Sequence, residues 1–145
     1  MFLGKHYSRL DKNSRLSTPA PFRDELSTGL YLTKGFDRNL VVMTRSAFKV
    51  IYRTVTALNI ADPLARGLMR LILGGAQELH LDKNGNLAIP AELRAFASLQ
   101  GSILVVGQGD YFEIWSPEQW ENQEAQLQDA DANSSRFSGL TVATR

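Results

Sequence analysis

LDKNSRLSTPAPFR (residues 10–23) and LDKNGNLAIPAELR (residues 81–94) are two writings of one phrase. Eight of the fourteen aligned positions agree, and the second copy stands 71 positions after the first, with Asp82 set on Asp11. The differences matter as much as the identities: Arg15 of the first copy becomes Asn86 in the second, and Ser14 becomes Gly85. The likeness continues downstream, where GLYLTKGFDRNLVVMTRSAF (29–48) lies over GSILVVGQGDYFEIWSPEQW (101–120). That alignment sets Gly29 on Gly101, Gly35 on Gly107, Leu40 on Phe112, Val42 on Ile114 and Phe48 on Trp120. A unit of about 45 residues buries too little apolar area to stand alone, so the two are expected to share one core around a pseudo-two-fold axis. The division reads as a first unit over 5–50, a helical connector over 51–76, a second unit over 77–120, and a C-terminal helix with a flexible tail over 121–145.

Each unit patterns as a hairpin, a helical turn and a second hairpin, which makes the fold class α+β and β-rich. Asn84-Gly85 between ELHLDK and NLAI signals a two-residue type I′ turn. The same slot in the first copy is Asn13-Ser14, and serine at positive φ costs roughly 1 kcal/mol, so that tip is expected to be strained or differently turned. Pro19 and Pro90 are placed to open short helices at their first positions. Glycine-rich turns at 35–37 and 107–110 join β-branched and aromatic runs that read as strands. In the connector, Phe48, Ile51, Tyr52, Val55 and Leu58 recur at helical spacing; Asp62-Pro63 then starts a second helix with Leu64, Leu68, Leu71 and Ile72 inward, ended by Gly74-Gly75. Ser116, Pro117 and Gln119 make an N-cap, an N1 proline and a capping-box glutamine for the matching helix after the second unit. From Asp129 onward the chain is small and polar, and fraying is expected.

Composition narrows the function classes. With 145 residues, 43% hydrophobic and 21% charged, the chain suits one ordinary globular domain. It has no cysteine, which rules out disulfides, thiolate zinc sites and cysteine nucleophiles. MFLGKHYSRL carries charge at Lys5 and lacks the apolar region of a signal peptide, while GLMRLILGGA (67–76) is broken by Arg70 and too short to span a bilayer. A cytoplasmic protein without a membrane partner is expected. The two histidines, His6 and His80, stand in no ligand spacing and beside no triad-like serine or acid. GQGDY (107–111) has no continuation into a phosphate-binding loop and reads as a hairpin turn. Neither enzyme activity nor a cofactor, metal or small-molecule substrate is expected.

The net charge of +1 conceals a polarised molecule. Residues 1–70 hold 12 Lys or Arg against 5 Asp or Glu, and residues 71–145 hold 4 against 10. A basic half attracts phosphate backbones, and an acidic half attracts the basic half of a neighbour. Cations gather at the first tip, where Asp11 and Arg15 bracket Lys12-Asn13-Ser14 in a segment that also carries Lys5 and Arg9. Asp11 can accept bonds from the turn amides or hold a guanidinium, and a restrained guanidinium presents a planar fork to guanine or phosphate with little entropy left to lose. The simpler reading is that Asp11 and Arg15 pair only to stabilise their turn, as Asp82 and Lys83 are expected to do in the second copy. Arg23 and Arg94, at the end of the helical turn in both copies, read as structural.

MFLG at the start, the two D-x-x-x-R-like phrases, PAPFR and PAELR, GFDRNL, GGA before the second unit and GDYFEIW followed by a tryptophan together resemble the MraZ family, built of SpoVT-AbrB-type units. The resemblance covers about residues 1–125. It implies two tandem swapped-hairpin units forming a pseudo-two-fold β-barrel, with short connecting and C-terminal helices. It further implies a ring-like homo-oligomer, association with the nucleoid, and regulation, as a repressor, of the bacterial division and cell-wall gene cluster. The DNA-contacting set it implies is Asp11 and Arg15 in the first unit and Asp82 in the second, with Ser14 and Asn86 departing from the family pattern. Together with the basic tip, the candidate DNA-binding residues are Arg15, Asp11, Lys12, Lys5, Arg9, Asp82, Lys83 and Asn86. The expected partner is double-stranded DNA carrying promoter repeats. Competing readings are an antitoxin-like module that binds DNA and a toxin, and an oligomeric interaction scaffold using the acidic helix at 117–128.

Overall fold

The structure is a computed structural model that describes residues 1–140. The strands are β1 (Lys5–Arg9), β2 (Arg15–Ser17), β3 (Leu30–Lys34), β4 (Leu40–Thr44), β5 (Gln77–Leu79), β6 (Asn86–Ala88), β7 (Ser102–Gly107) and β8 (Tyr111–Trp115). The helices are α1 (Ala20–Arg23), extended by a 3₁₀ turn over Asp24–Leu26, α2 (Arg45–Thr56), α3 (Pro63–Ile72), α4 (Ala91–Phe96), α5 (Pro117–Leu127) and α6 (Ala130–Phe137).

Hydrogen bonding joins six strands into one antiparallel sheet of order β1-β7-β8-β4-β3-β5, and β2 and β6 into a separate two-stranded ribbon. The sheet order reads the same from either edge once each strand is replaced by its counterpart in the other unit. The axis of this symmetry runs through two strand pairs. In β4–β8, Leu40 faces Ile114 and Val42 faces Phe112 around the central pair Val41 and Glu113. In the ribbon, Arg15 faces Ala88 and Ser17 faces Asn86 around Leu16 and Leu87. The shared core predicted from the repeat is therefore present, and its centre holds Leu16, Leu87, Phe22, Leu93, Leu40, Val42, Phe112 and Ile114 from both units.

What the sequence pattern does not reveal is the exchange of strands. β1 pairs with β7 and β5 pairs with β3, so each unit's first strand is taken by the other unit. The first hairpin of each unit is accordingly no ladder: β6 leaves β5 to join β2, and β1 and β2 are linked by the isolated bridge between Leu10 and Leu16 and by the Ser8 hydroxyl, which donates to the Ser17 carbonyl at 2.8 Å. Among the described residues the strands close no continuous barrel. A period-2 pattern assigns a face to each side chain but names no partner strand, which is why local reading supplied the wrong one.

The N-terminal segment completes the core. Phe2 is fully buried and meets Phe22 and Phe112 edge-on, with ring centroids 5.0 and 5.2 Å apart. Its backbone exchanges two 2.8 Å bonds with Gly109, and Gly107 donates to the Gly4 carbonyl at 2.8 Å. A Cβ on Gly107 would stand 2.4 Å from the Leu3 nitrogen, so this approach requires glycine.

The helices start where capping chemistry places them. The Thr44 hydroxyl accepts from the Ala47 amide at 3.1 Å, Asp62 from Leu64 at 2.9 Å, and Ser116 from Gln119 at 3.2 Å. Pro19 and Pro90 stand one position earlier than expected, at the N-caps of α1 and α4. In α3 the expected inward Leu64 is 83% exposed and Ala65 is buried in its place, because the inward stripe runs Ala65, Leu68, Ile72. Tyr52 and Leu58, also expected inward, are 49% and 39% exposed. The polar tail expected to fray carries α6, whose N-cap Asp129 accepts from Ala132 at 3.1 Å, although none of its side chains is buried. Residues 141–145 of that tail lie outside the described residues. No helix among those described is long and apolar enough to cross a membrane.

Candidate nucleic-acid interface

The two repeated phrases build two turns that flank the β2–β6 ribbon. In the first, Ser14 donates to the Asp11 carbonyl at 3.0 Å and Asp11 to the Arg15 carbonyl at 3.0 Å; in the second, Gly85 donates to Asp82 and Asp82 to Asn86, both at 2.9 Å. Each turn has one residue in the left-handed region, Ser14 at φ 60° and Gly85 at φ 77°, and Asn84 is not in that region. The expected type I′ turn is thus replaced by a turn with a single left-handed residue after it, the arrangement of a three-residue loop. Ser14 does occupy the strained region read from the sequence. The turns are also stitched across the ribbon, since Thr18 donates to the Gly85 carbonyl and Ile89 to the Ser14 carbonyl, each at 3.2 Å.

The aspartates organise both turns from within. Asp11 Oδ1 accepts from the amides of Asn13 at 2.7 Å and Arg15 at 3.0 Å. Asp82 Oδ1 accepts from Asn84 and Asn86, both at 2.9 Å. The guanidinium of Arg15 does not return to Asp11. It crosses to the other unit, where Nη1 donates to Asp82 Oδ2 at 3.1 Å. Two simpler readings of the sequence are corrected by this contact: Asp11 holds the backbone of its own turn, and the partner of Asp82 is Arg15, not Lys83. The bond from the Asn86 amide, followed by those from Asn84 and Arg15, lowers the Asp82 pKa from its ordinary 3.8 against an opposing desolvation. Asp11 has no guanidinium or ammonium within ion-pair distance among the described residues.

Asp11, Lys12, Arg15, Asp82, Lys83 and Asn86 therefore belong to one surface, with Lys12, Arg15 and Lys83 exposed. Arg9 is exposed at the end of β1 that leads into the first turn. Lys5 stands at the other end of that strand, 4.0 Å from Glu124 and over the Trp120 ring at 5.9 Å, so it faces α5 and is separated from the turns. Arg23 and Arg94 are structural pins, as expected: their Nε atoms donate to the carbonyls of Thr18 and Ile89, both at 2.9 Å. Arg23 also covers the second turn, with its Nε 2.6 Å from where a Cβ on Gly85 would be. Asn13 and Asn84, read from the sequence only as turn residues, are exposed amides at the crowns of the turns. Their signal was recurrence at one position in both copies.

Comparison with known proteins agrees with this two-part construction. The family described as "MraZ protein, putative antitoxin-like" matches twice in tandem, over residues 1–71 and 72–138. The chain belongs to the MraZ family. It is 41% identical over 137 residues to the transcriptional regulator MraZ of Roseiflexus castenholzii, covering 94% of each chain. It is 36% identical over 141 residues to that of Rhodococcus jostii, covering 97% of this chain and 94% of the other. A third MraZ regulator, from Herpetosiphon aurantiacus, is 40% identical over 121 residues, or 83% of this chain and 85% of its own.

Proposed function

We propose that this MraZ-family chain is a non-enzymatic transcriptional regulator that binds double-stranded DNA through the two turns flanking the β2–β6 ribbon. The observation that carries the reading is the meeting of both turns on one surface, with Arg15, Lys12 and Lys83 exposed and the Arg15 guanidinium held by a carboxylate. Such a group can make a bidentate contact to guanine, while the flexible ammonium groups serve as phosphate contacts. Arg15, Asp11, Lys12, Arg9, Asp82, Lys83 and Asn86 form the contact set, with Lys5 at its margin. The working form is a ring-like homo-oligomer of chains, each folded from units at 5–50 and 77–120. Each subunit reads one short promoter repeat, and linkage raises effective concentration at the next. Repression of a bacterial division and cell-wall gene cluster, and a place on the nucleoid, complete the proposal.

The test is a mobility shift with the DNA upstream of the chain's own coding sequence, across a salt series. Binding with sequence preference and a steep salt slope is expected. Arg15→Ala should cost about 1–3 kcal/mol and relax preference at one position, whereas Lys12→Ala should weaken all sequences alike and flatten the slope. Equal binding by both variants and the parent would remove the assignment. Sedimentation showing a monomer at low salt would remove the ring.

A further inference from the structure

We infer that Asp82 is a positioning residue for Arg15: the second unit's turn fixes a carboxylate that aims the first unit's guanidinium, and Asn86 leaves the mirror-image anchor at Asp11 unused. The inference rests on the DNA-binding reading and deepens it. It begins with the division of labour within the Asp82 carboxylate. One oxygen is held by two turn amides at 2.9 Å, so the group is fixed to the backbone, and the other oxygen takes Arg15 Nη1 at 3.1 Å. A guanidinium has five N–H donors, and this contact uses one, leaving most of the fork for a ligand. Arg15 is held without being consumed, as its 47% side-chain exposure requires.

The carboxylate also decides what kind of ligand that fork favours. A negative charge beside the guanidinium offsets its attraction for a backbone phosphate, while leaving its donors geometrically suited to the acceptor edge of a base. Asp82 therefore trades general affinity for selectivity. The mirror of this arrangement is half built. Asp11 is anchored by the amides of Asn13 and Arg15, but the counterpart of Arg15 is Asn86, which has no charge and too short a side chain to make the equivalent reach. Each chain presents one oriented guanidinium where the repeat has room for two.

The experiment compares the full-length parent with Asp82→Asn, which keeps an acceptor for the turn amides and removes the charge, and with Asn86→Arg, which supplies the missing partner of Asp11. The probes are a duplex of the DNA upstream of the chain's own coding sequence and a scrambled duplex of equal composition, titrated across a salt series. Asp82→Asn should bind the scrambled duplex at least as tightly as the parent, with a steeper salt slope, while its preference for the upstream duplex falls roughly tenfold. Asn86→Arg should keep or increase the preference. A lost turn would weaken binding to both duplexes together, so the opposed changes separate aiming from folding. Independently of DNA, the Arg15 Nε–H NMR signal should report a restrained group in the parent and in Asp11→Asn, and a mobile one in Asp82→Asn. Equal mobility in the parent and Asp82→Asn, or an unchanged preference, would overturn the inference. A parent that binds the two duplexes alike would instead overturn the DNA-binding reading, and the NMR contrast would then decide by itself whether Asp82 holds Arg15.

Discussion

The turn at residues 11–15 and the turn at 82–86 have the same backbone bonds, the same aspartate cradle and the same stitch across the ribbon, yet they differ in what they carry. The first has an arginine that reaches out of its own unit and a serine in a conformation that suits glycine. The second has the glycine, and it lends its aspartate to the arginine of the first. The two copies share a scaffold, and one of them alone carries the arginine. The difference teaches that arginine and comfort were divided between the copies: the turn that bears the guanidinium has the left-handed serine, and the turn with glycine supplies the anchor.

The polarised charge is partly paired across the two halves. The Lys5–Glu124, Arg15–Asp82, Lys34–Glu92 and Arg45–Glu78 pairs each join a cation of the first seventy residues to an acid of the remainder. Exposed pairs of this kind add little stability individually. Part of the asymmetry read from the sequence as an attraction between neighbouring chains is thus satisfied within one chain.

The largest expected effect tests whether the scaffold is as symmetric as the register implies. Leu16 and Leu87 face each other at the ribbon's axis and are 0% and 1% exposed. Leu16→Ala and Leu87→Ala should each lower the free energy of urea unfolding by about 3 kcal/mol, the middle of the range for buried leucine. Losses that differ by more than about 1 kcal/mol would show that one unit dominates the core, against an even sharing of burial.

Next in size is the contrast between the turns themselves. Gly85→Ala forces a Cβ into the left-handed region and against Arg23, 2.6 Å away, and displacing that side chain also threatens its 2.9 Å bond to the Thr18 carbonyl. A loss of about 2 kcal/mol is expected in chemical denaturation. Ser14→Ala keeps the Cβ already present and should change stability by less than about 0.5 kcal/mol. Similar losses at both positions would break the claim that only the second turn depends on glycine.

How much of this was legible follows from the range of each interaction. The helix starts at Asp62 and Ser116 depend on side chains two or three residues from the amides they cap, and such short-range chemistry is written locally; the cap at Thr44, equally local, was not read. Phe2 could not be recognised as core, since its place comes from docking against a strand turn more than a hundred residues later. The Arg15–Asp82 pair was illegible for the same reason: it exists only because β2 and β6 leave their local partners and meet. The repeat revealed that two units share a core, but not which strands they exchange. α6 was missed because its residues are small and unburied, so only the Asp129 cap announced it.

A smaller effect concerns the strand exits. Thr18 is 1% exposed and its hydroxyl has no hydrogen-bond partner among the described residues, while Ile89, its counterpart, is an ordinary buried apolar side chain at 3%. An unsatisfied buried hydroxyl is costly, and valine matches the shape of threonine without it. Thr18→Val should therefore raise stability by about 1 kcal/mol in thermal or urea unfolding. A loss instead would mean that the hydroxyl is satisfied by water, and that the two exits differ in hydration as well as in sequence.

The smallest effect is the most discriminating. Ser14 at φ 60° carries a steric penalty of roughly 1 kcal/mol that glycine relieves, but glycine also adds freedom to the unfolded chain that offsets part of the gain. Ser14→Gly should thus stabilise the protein by about 0.5 kcal/mol. The carbonyls of Ser14 and Gly85 accept equivalent 3.2 Å bonds, so the substitution makes the first turn match the second without redrawing the ribbon. If DNA preference is untouched while stability rises, serine is a tolerated cost of the duplication. If preference falls as stability rises, the hydroxyl belongs to the reading surface, and the strain in the first turn is retained for the sake of the contact it makes.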